Sequence, residues 1–137
     1  MKVAVLMEKL YEDLEAWYPY FRLREEGIDT VFVGSGKAKE YPSKHGYAAP
    51  QEKSIDEVKV DDFDGVVIPG GYAPDHMRRN EEMIKFVRDA AEQGRMVAAI
   101  CHAGWMLCSA DVLRDKKVTG FYAIKDDITN AGGQFID

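Results

Sequence analysis

The stretch that most limits what this chain can fold into is Met96-Val97-Ala98-Ala99-Ile100-Cys101-His102-Ala103-Gly104. Its first five residues are apolar without alternation, which suits a central strand of a parallel sheet covered on both faces. The strand stops abruptly at a cysteine, and small residues then open a helix. That is the logic of a nucleophile elbow, in which a tight turn lifts a reactive side chain above the sheet edge. The N-terminal amides and positive dipole end of the following helix would then point at the thiol. A thiol placed there is expected to ionise more easily than a free one.

The rest of the chain supplies a frame for such an elbow. Lys2 to Met7 reads as a first strand, and Glu8 to Asp13 as a polar loop carrying three acids. A helix follows from about Asp13 to Glu26. Leu14, Trp17, Tyr18 and Phe21 fall at i, i+3, i+4 and i+7, which predicts one buried face. Pro19 lies inside that helix and predicts a kink, and Gly27 ends it. Thr30 to Val33 is the second strand, so the first third reads as a βαβ unit with parallel pairing. Residues 34–53 are polar and punctuated by glycine and proline, with room for a small hairpin. Asp64-Gly65-Val66-Val67-Ile68 is a further buried strand that ends in Pro69-Gly70-Gly71.

Asn80 is a good N-cap for a helix that runs to Gln93, with Met83, Ile84, Val87, Ala90 and Ala91 inward and Gly94 closing it. The helix after Cys101 is expected to end near Ala110 or Leu113. Short strands are expected at Lys117–Thr119, Tyr122–Ile124 and Gln134–Ile136, with a helical turn across Asp126–Ala131. Strands alternating with helices indicate one doubly wound α/β domain over residues 1–137. In such a sheet, ligands sit beyond the carboxyl ends of the strands. The loops there are 8–13, 69–76 and 101–104.

Composition excludes several classes. A net charge of −6 and a pI near 5.1 argue against nucleic acid as a partner. No apolar run approaches the roughly 20 residues of a membrane span, so no membrane partner is expected and the cytoplasm is the expected compartment. The two cysteines, Cys101 and Cys108, form no disulfide framework. On one helix they would lie about 10 Å apart along the axis, too far to bridge. No CxxC or histidine spacing suggests a metal, and no organic cofactor is indicated.

Chemistry therefore centres on Cys101. A cysteine is most often a small buried hydrophobe. Its place at a strand end, beside a histidine and a helix start, favours function. Cys108, within the helix and without a partner, reads as packing. A direct thiol-to-ring proton transfer from Cys101 to the adjacent His102 needs a sharp turn. The His102 amide is itself an expected oxyanion donor, and Gly70 or Gly71 can bring a second amide close because neither has a side chain. Glu12, at the end of the first strand, would hold a proton against the thiolate if desolvated. Asp75 either caps a short helix or takes part in the site. Arg78, Arg79 and His45 read as surface residues.

Four runs then point to a family. Ala99-Ile100-Cys101-His102, Val67-Ile68-Pro69-Gly70-Gly71-Tyr72-Ala73-Pro74-Asp75, Tyr11-Glu12-Asp13-Leu14-Glu15 and Lys125-Asp126-Asp127-Ile128-Thr129-Asn130-Ala131-Gly132 resemble the DJ-1/PfpI family in order and spacing. Lys44-His45-Gly46-Tyr47 is similar to its PfpI-type intracellular protease branch. The resemblance implies a flavodoxin-like three-layer α/β/α sandwich with a mostly parallel sheet, like that of class I glutamine amidotransferases. It implies a nucleophilic Cys101, with His102 beside it and Glu12 hydrogen-bonded to the thiol. It also implies oxyanion donors at Gly71 and His102.

In the PfpI branch an acidic residue from a neighbouring subunit orients the histidine. The matching position is Asp75, so a homodimer or larger homo-oligomer is implied. The family's usual glycine-proline after the cysteine–histidine pair is Ala103-Gly104 here, followed by Trp105. The family's last strand and C-terminal helix are not represented before Asp137. The expected function is a cysteine-dependent hydrolase of the intracellular peptidase type. A glyoxalase or deglycase acting on methylglyoxal or glycated adducts is the first alternative. A redox-sensing stress protein or chaperone is the second.

Overall fold

The computed structural model describes residues 1–137. The chain order is β1 (Lys2–Met7), α1 (Asp13–Glu25), β2 (Asp29–Gly34), β3 (Glu40–Pro42), β4 (Ala48–Pro50), β5 (Lys53–Ser54), β6 (Gly65–Ile68), α2 (Ala73–Met77), α3 (Glu81–Glu92), β7 (Met96–Ala99), α4 (Gly104–Ala110), β8 (Lys117–Val118), α5 (Lys125–Asn130) and β9 (Gln134–Phe135). Five strands form a parallel sheet in the order β5-β2-β1-β6-β7. The crossover through α1 moves one way along this sheet, and the crossover through α3 moves the other way. With both right-handed, the two helices lie on opposite faces, which makes three layers. The strand order reverses between β1 and β6, so their carboxyl ends open a crevice of the kind that holds ligands.

The core follows from the apolar strands. Val3 to Met7 in β1 are fully buried, together with Phe32, Val66, Ile68 and the inward side of α3. That side is Met83, Phe86, Val87 and Ala90, so Phe86 joins the expected set while Ile84 and Ala91 sit at its margin. Asn80 caps α3 as expected, its Oδ1 accepting from the amides of Glu82 at 3.0 Å and Met83 at 3.2 Å. The hairpin expected within residues 34–53 is β3 paired antiparallel with β4. A second, smaller core of Leu113, Ile124 and Ile128 joins α4, α5 and the short parallel pair β8–β9. Tyr122–Ile124, expected as a strand, is a 3₁₀ turn instead. It leads directly into α5 and leaves no length for a ladder.

Two expectations about burial are corrected. In α1 the buried residues are Ala16 and Tyr20, with Trp17 partly covered, whereas Leu14, Tyr18 and Phe21 are exposed. Apolar residues surround most of this helix, so spacing alone does not select the inner stripe. Packing selects it: Tyr20 stacks on Phe32 of β2 at 4.1 Å between ring centroids, and Trp17 meets the same ring edge-on at 4.9 Å. Likewise β7 is an edge strand, with Met96, Ala98 and Ile100 exposed. Its continuous apolar run is covered on the α3 side only. On the other face Ala98 and Ile100 line an apolar groove with Val67 and with Leu14 and Tyr18 of α1. No helix is long and apolar enough to cross a membrane.

The smaller core fixes the segment that follows the elbow helix. Ile128 is fully buried, and its side chain would lie 3.1 Å from a Cβ added at Gly104, the first residue of α4. Ile128→Ala should therefore cost about 2–5 kcal/mol of stability. The measurement is urea unfolding, with a lower midpoint and an unchanged slope expected.

Candidate active site

The geometry at Cys101 is set by its backbone. Cys101 has φ 59°, in the left-handed region that a residue with a side chain rarely occupies. The amide of Ile100 still donates to Ile68 O at 3.3 Å, continuing the ladder with β6. Immediately afterwards the chain reverses, and the Ala103 amide donates to Ile100 O at 2.9 Å. The turn brings two adjacent side chains to one side. Cys101 Sγ lies 3.3 Å from His102 Nδ1, the contact that sequence adjacency alone made demanding.

The glycine loop after β6 completes the wall. Gly71 has φ +73°, and a Cβ there would fall 2.5 Å from Leu10 O and 2.7 Å from the Glu12 amide. Glycine is required both by the turn and by the close approach of the 8–12 loop. That loop is tied to the glycines by Tyr72 N donating to Leu10 O at 2.9 Å and Glu12 N donating to Gly70 O at 3.3 Å. Its other side rests on the Ser43–Tyr47 turn. Lys44 N donates to Tyr11 O at 2.9 Å, and the Tyr11 hydroxyl donates to Tyr47 O at 2.5 Å. Burial pushes the Tyr11 phenol up to about 12, so it stays a donor through the physiological range.

The carboxyl group at the thiol belongs to Glu15, not to Glu12. Glu12 is the N-cap of α1, its Oε2 accepting from the Glu15 amide at 3.1 Å. One turn further on, half-buried Glu15 accepts from the Gly70 amide through Oε2 at 2.7 Å and sets its carboxyl beside Cys101, on whose thiol its charge acts. The 12–15 run carried both acids, and only the helix phase decides which of them faces the sheet. The same bond removes Gly70 as an oxyanion donor, because its amide is already engaged. The amides left beside the sulfur are those of Gly71 and His102.

Electrostatics at the site run against the simple elbow expectation. Burial, followed by the charge of Glu15, pushes the Cys101 thiol up, and the Gly71 and His102 amides offset only part of this. Helix α4 starts only at Gly104, after a 3₁₀ turn over Cys101–Ala103, and has seven residues. Burial likewise pushes the Glu15 carboxyl up, against the Gly70 amide that holds it down. Thiol and carboxyl thus share a site that disfavours charge on both.

Other expected residues lie elsewhere. Asp75 sits within α2 and pairs with Arg79 rather than capping the helix. Arg78 is not a free surface charge: its Nε donates to Ser109 Oγ at 2.8 Å. His45 Nδ1 lies 2.8 Å from Asp13 Oδ2, and Ser43 Oγ donates to Asp13 Oδ1 at 2.6 Å, which holds Asp13 below the usual carboxylate range. Glu12, Asp13 and His45 have ligand-type atoms within 4.8 Å of one another, but Glu12 is committed as a cap and Asp13 to Ser43 and His45. Cys108 packs on the smaller core, as expected, and burial pushes its thiol up. Trp105, a candidate pocket wall in the sequence, and Phe121, which no sequence signal marked, flank His102. A cleft of about 400 Å³ opens at the thiol between Glu15, Ala99, Ile100 and the irregular Thr119–Phe121 segment.

Comparison with known proteins agrees with this architecture. The chain is 42% identical over 137 residues to "Deglycase PfpI" of Pyrococcus furiosus, covering all of this chain and 82% of that protein. It is 38% identical to "Protein/nucleic acid deglycase 2" of Escherichia coli K12, covering 99% of this chain and 80% of the relative. YraA of Bacillus subtilis, whose name suggests a cysteine protease, is 35% identical at 99% and 80% coverage. Among solved structures, a two-domain protein of Anabaena variabilis with DJ-1/ThiJ/PfpI-like and ferritin-like domains superposes with a TM-score of 0.97 at 43% identity. The match covers all of this chain and 41% of that one. Drosophila melanogaster DJ-1beta shares the fold at TM-score 0.92 and 24% identity, over 99% of this chain and 73% of that one. The description of the DJ-1/PfpI family matches residues 1–137, and the chain belongs to that family.

Proposed function

We propose that this chain is a cysteine-dependent enzyme of the deglycase or glyoxalase type, acting on small α-oxoaldehydes or on their adducts with amines and thiols. The observation that carries it is the 3.3 Å approach of Cys101 Sγ to His102 Nδ1 at a left-handed turn, with the Gly71 and His102 amides beside the sulfur. Because the thiol is pushed up, it is protonated at neutral pH, and His102 takes its proton as sulfur attacks. The S–C bond forms, the carbonyl π bond breaks, and the electron pair moves to an oxygen held by the Gly71 and His102 amides. For an α-oxoaldehyde, a proton shift between the two former carbonyl carbons gives a thioester, which water cleaves to a 2-hydroxy acid and free thiol. Glu15, whose carboxyl is pushed up, is placed to carry that proton.

The cleft of about 400 Å³ suits a small molecule. Names of the relatives favour the same class, since two of those compared are called deglycases. A peptidase uses the same core atoms, and the name of YraA keeps that substrate in view. In an oligomer, partly exposed Asp75 would have to leave Arg79 to reach a neighbouring copy's His102. Glu15 also supports a second reading, in which peroxide oxidises Cys101 to a sulfinic acid that accepts a hydrogen bond from the protonated carboxyl.

Cys101→Ser should reduce turnover of methylglyoxal by at least about a thousandfold, as loss of a covalent nucleophile does. Full activity in that variant would overturn the assignment. Glu15→Gln removes a negative charge beside the sulfur, so the Cys101 thiol should ionise at lower pH. In a Cys108→Ser background, the midpoint of the pH profile of iodoacetamide alkylation is expected to move down. The redox reading predicts instead that mild peroxide adds two oxygen atoms at Cys101, seen by mass spectrometry, in a protein that turns over no carbonyl.

A further inference from the structure

The imidazole of His102 does not stand free in the cleft. Its ring centroid lies 5.0 Å from that of Trp105 at an interplanar angle of 60°, and 4.7 Å from that of Phe121 at 31°. Both neighbours are anchored to the elbow by independent means. Phe121 donates its own amide to Cys101 O at 3.1 Å, so its ring is registered to the nucleophile by the backbone. Gly120 permits this approach, since a Cβ there would lie 3.2 Å from the same carbonyl oxygen. Trp105, on the first turn of α4, donates its indole N–H to Asp127 Oδ2 of α5 at 2.9 Å. The Arg78 guanidinium sits 5.9 Å from the Trp105 ring centroid, so a cation and an anion bracket the indole.

Two aromatic rings packed against an imidazole, one edge-on and one tilted, do two things. They restrict its rotation about the side-chain bonds, and they attract it more strongly when it is a cation. Within the proposed reaction, His102 becomes a cation when it takes the thiol proton. We propose that Trp105 and Phe121 form an aromatic clamp that positions His102 against Cys101 and stabilises its protonated form, with Asp127 as the residue that orients Trp105. This inference rests on the proposed role of His102 as acceptor of the thiol proton.

Charged and titratable groups face the imidazole and its neighbours from several elements. Cys101 faces the imidazole directly, and Glu15 of α1 faces Cys101. Arg78, at the end of α2, and Asp127 of α5 act on Trp105 from opposite charges. Tyr122 lies against Phe121, 4.7 Å between ring centroids and tilted by 48°. The clamp also gives a purpose to Trp105-bearing sequence after the cysteine–histidine pair, which the nucleophile itself does not need.

The test uses Trp105→Leu, Trp105→Phe and Phe121→Leu in the Cys108→Ser background. The pH profile of iodoacetamide alkylation is read beside the His102 ring-proton titration by NMR. Phe121 is 39% exposed, so its replacement leaves the cores filled and keeps the test valid if the tryptophan variant unfolds. Each leucine variant should lower the neutral-pH alkylation rate about threefold, a cation–π loss at a partly exposed site, and move the His102 titration to lower pH. Trp105→Phe should restore most of both. Wild-type profiles in both leucine variants would overturn the clamp. His102→Asn separates the two levels: if it shifts the alkylation profile while the leucine variants do not, only the clamp fails. If His102→Asn itself leaves the profile unchanged, the proton-acceptor role beneath it fails.

Discussion

The left-handed turn at Cys101 is the constraint on which the site depends. A non-glycine residue at φ 59° costs on the order of 1–3 kcal/mol and persists only where its surroundings over-determine it. Here three backbone bonds do so. Ile100 is tied to β6, Ala103 closes back on Ile100, and Phe121 binds the Cys101 carbonyl from the far side. Strain at this one residue is what puts two successive side chains, thiol and imidazole, on the same side of the chain. An ordinary extended residue would send them apart.

Around that turn the structure is a set of mutually buttressed loops. The 8–12 loop lies between the Gly70-Gly71 turn and the Ser43–Tyr47 turn, and it hands the chain to α1 with Glu12 as cap. The phase of α1 then delivers Glu15 to the Gly70 amide and to Cys101. The Lys44-His45-Gly46-Tyr47 run, which carries no chemistry of its own, is thereby structural: His45 and Ser43 hold Asp13, and Tyr47 receives the buried Tyr11 hydroxyl. The carboxyl and the thiol meet only because three loops from distant parts of the chain are registered to one another. Their mutual burial raises both groups, which makes the site a place to move protons rather than to store charge.

The uneven cover of the sheet is a second consequence of topology. Helices α3 and α4 pack on one face, and α1 alone lies on the other, toward β2. β7 ends the sheet, so an apolar run that would suit a central strand has one open face, and the outward residues of α1 border the same groove. Apolar character reports that a surface prefers cover. It does not report which neighbour supplies that cover.

Much was legible in the sequence. The strand-then-cysteine run, the glycine pair after the third long strand, the Asn80 cap and the alternation of strands with helices determine the parallel α/β fold and place Cys101, His102 and Gly71 at one sheet end. These are local signals, written in neighbouring residues and in backbone preferences that few residue types satisfy. Tertiary structure alone decided that Glu15 rather than Glu12 meets the thiol, and that the Gly70 amide is taken by that carboxyl. It also decided that Trp105 and Phe121 enclose His102, and that Leu14 and Tyr18 face outward. Each of those choices turns on helix phase or on contacts between segments far apart in the chain, where a rotation of one residue changes the partner and leaves the local pattern the same.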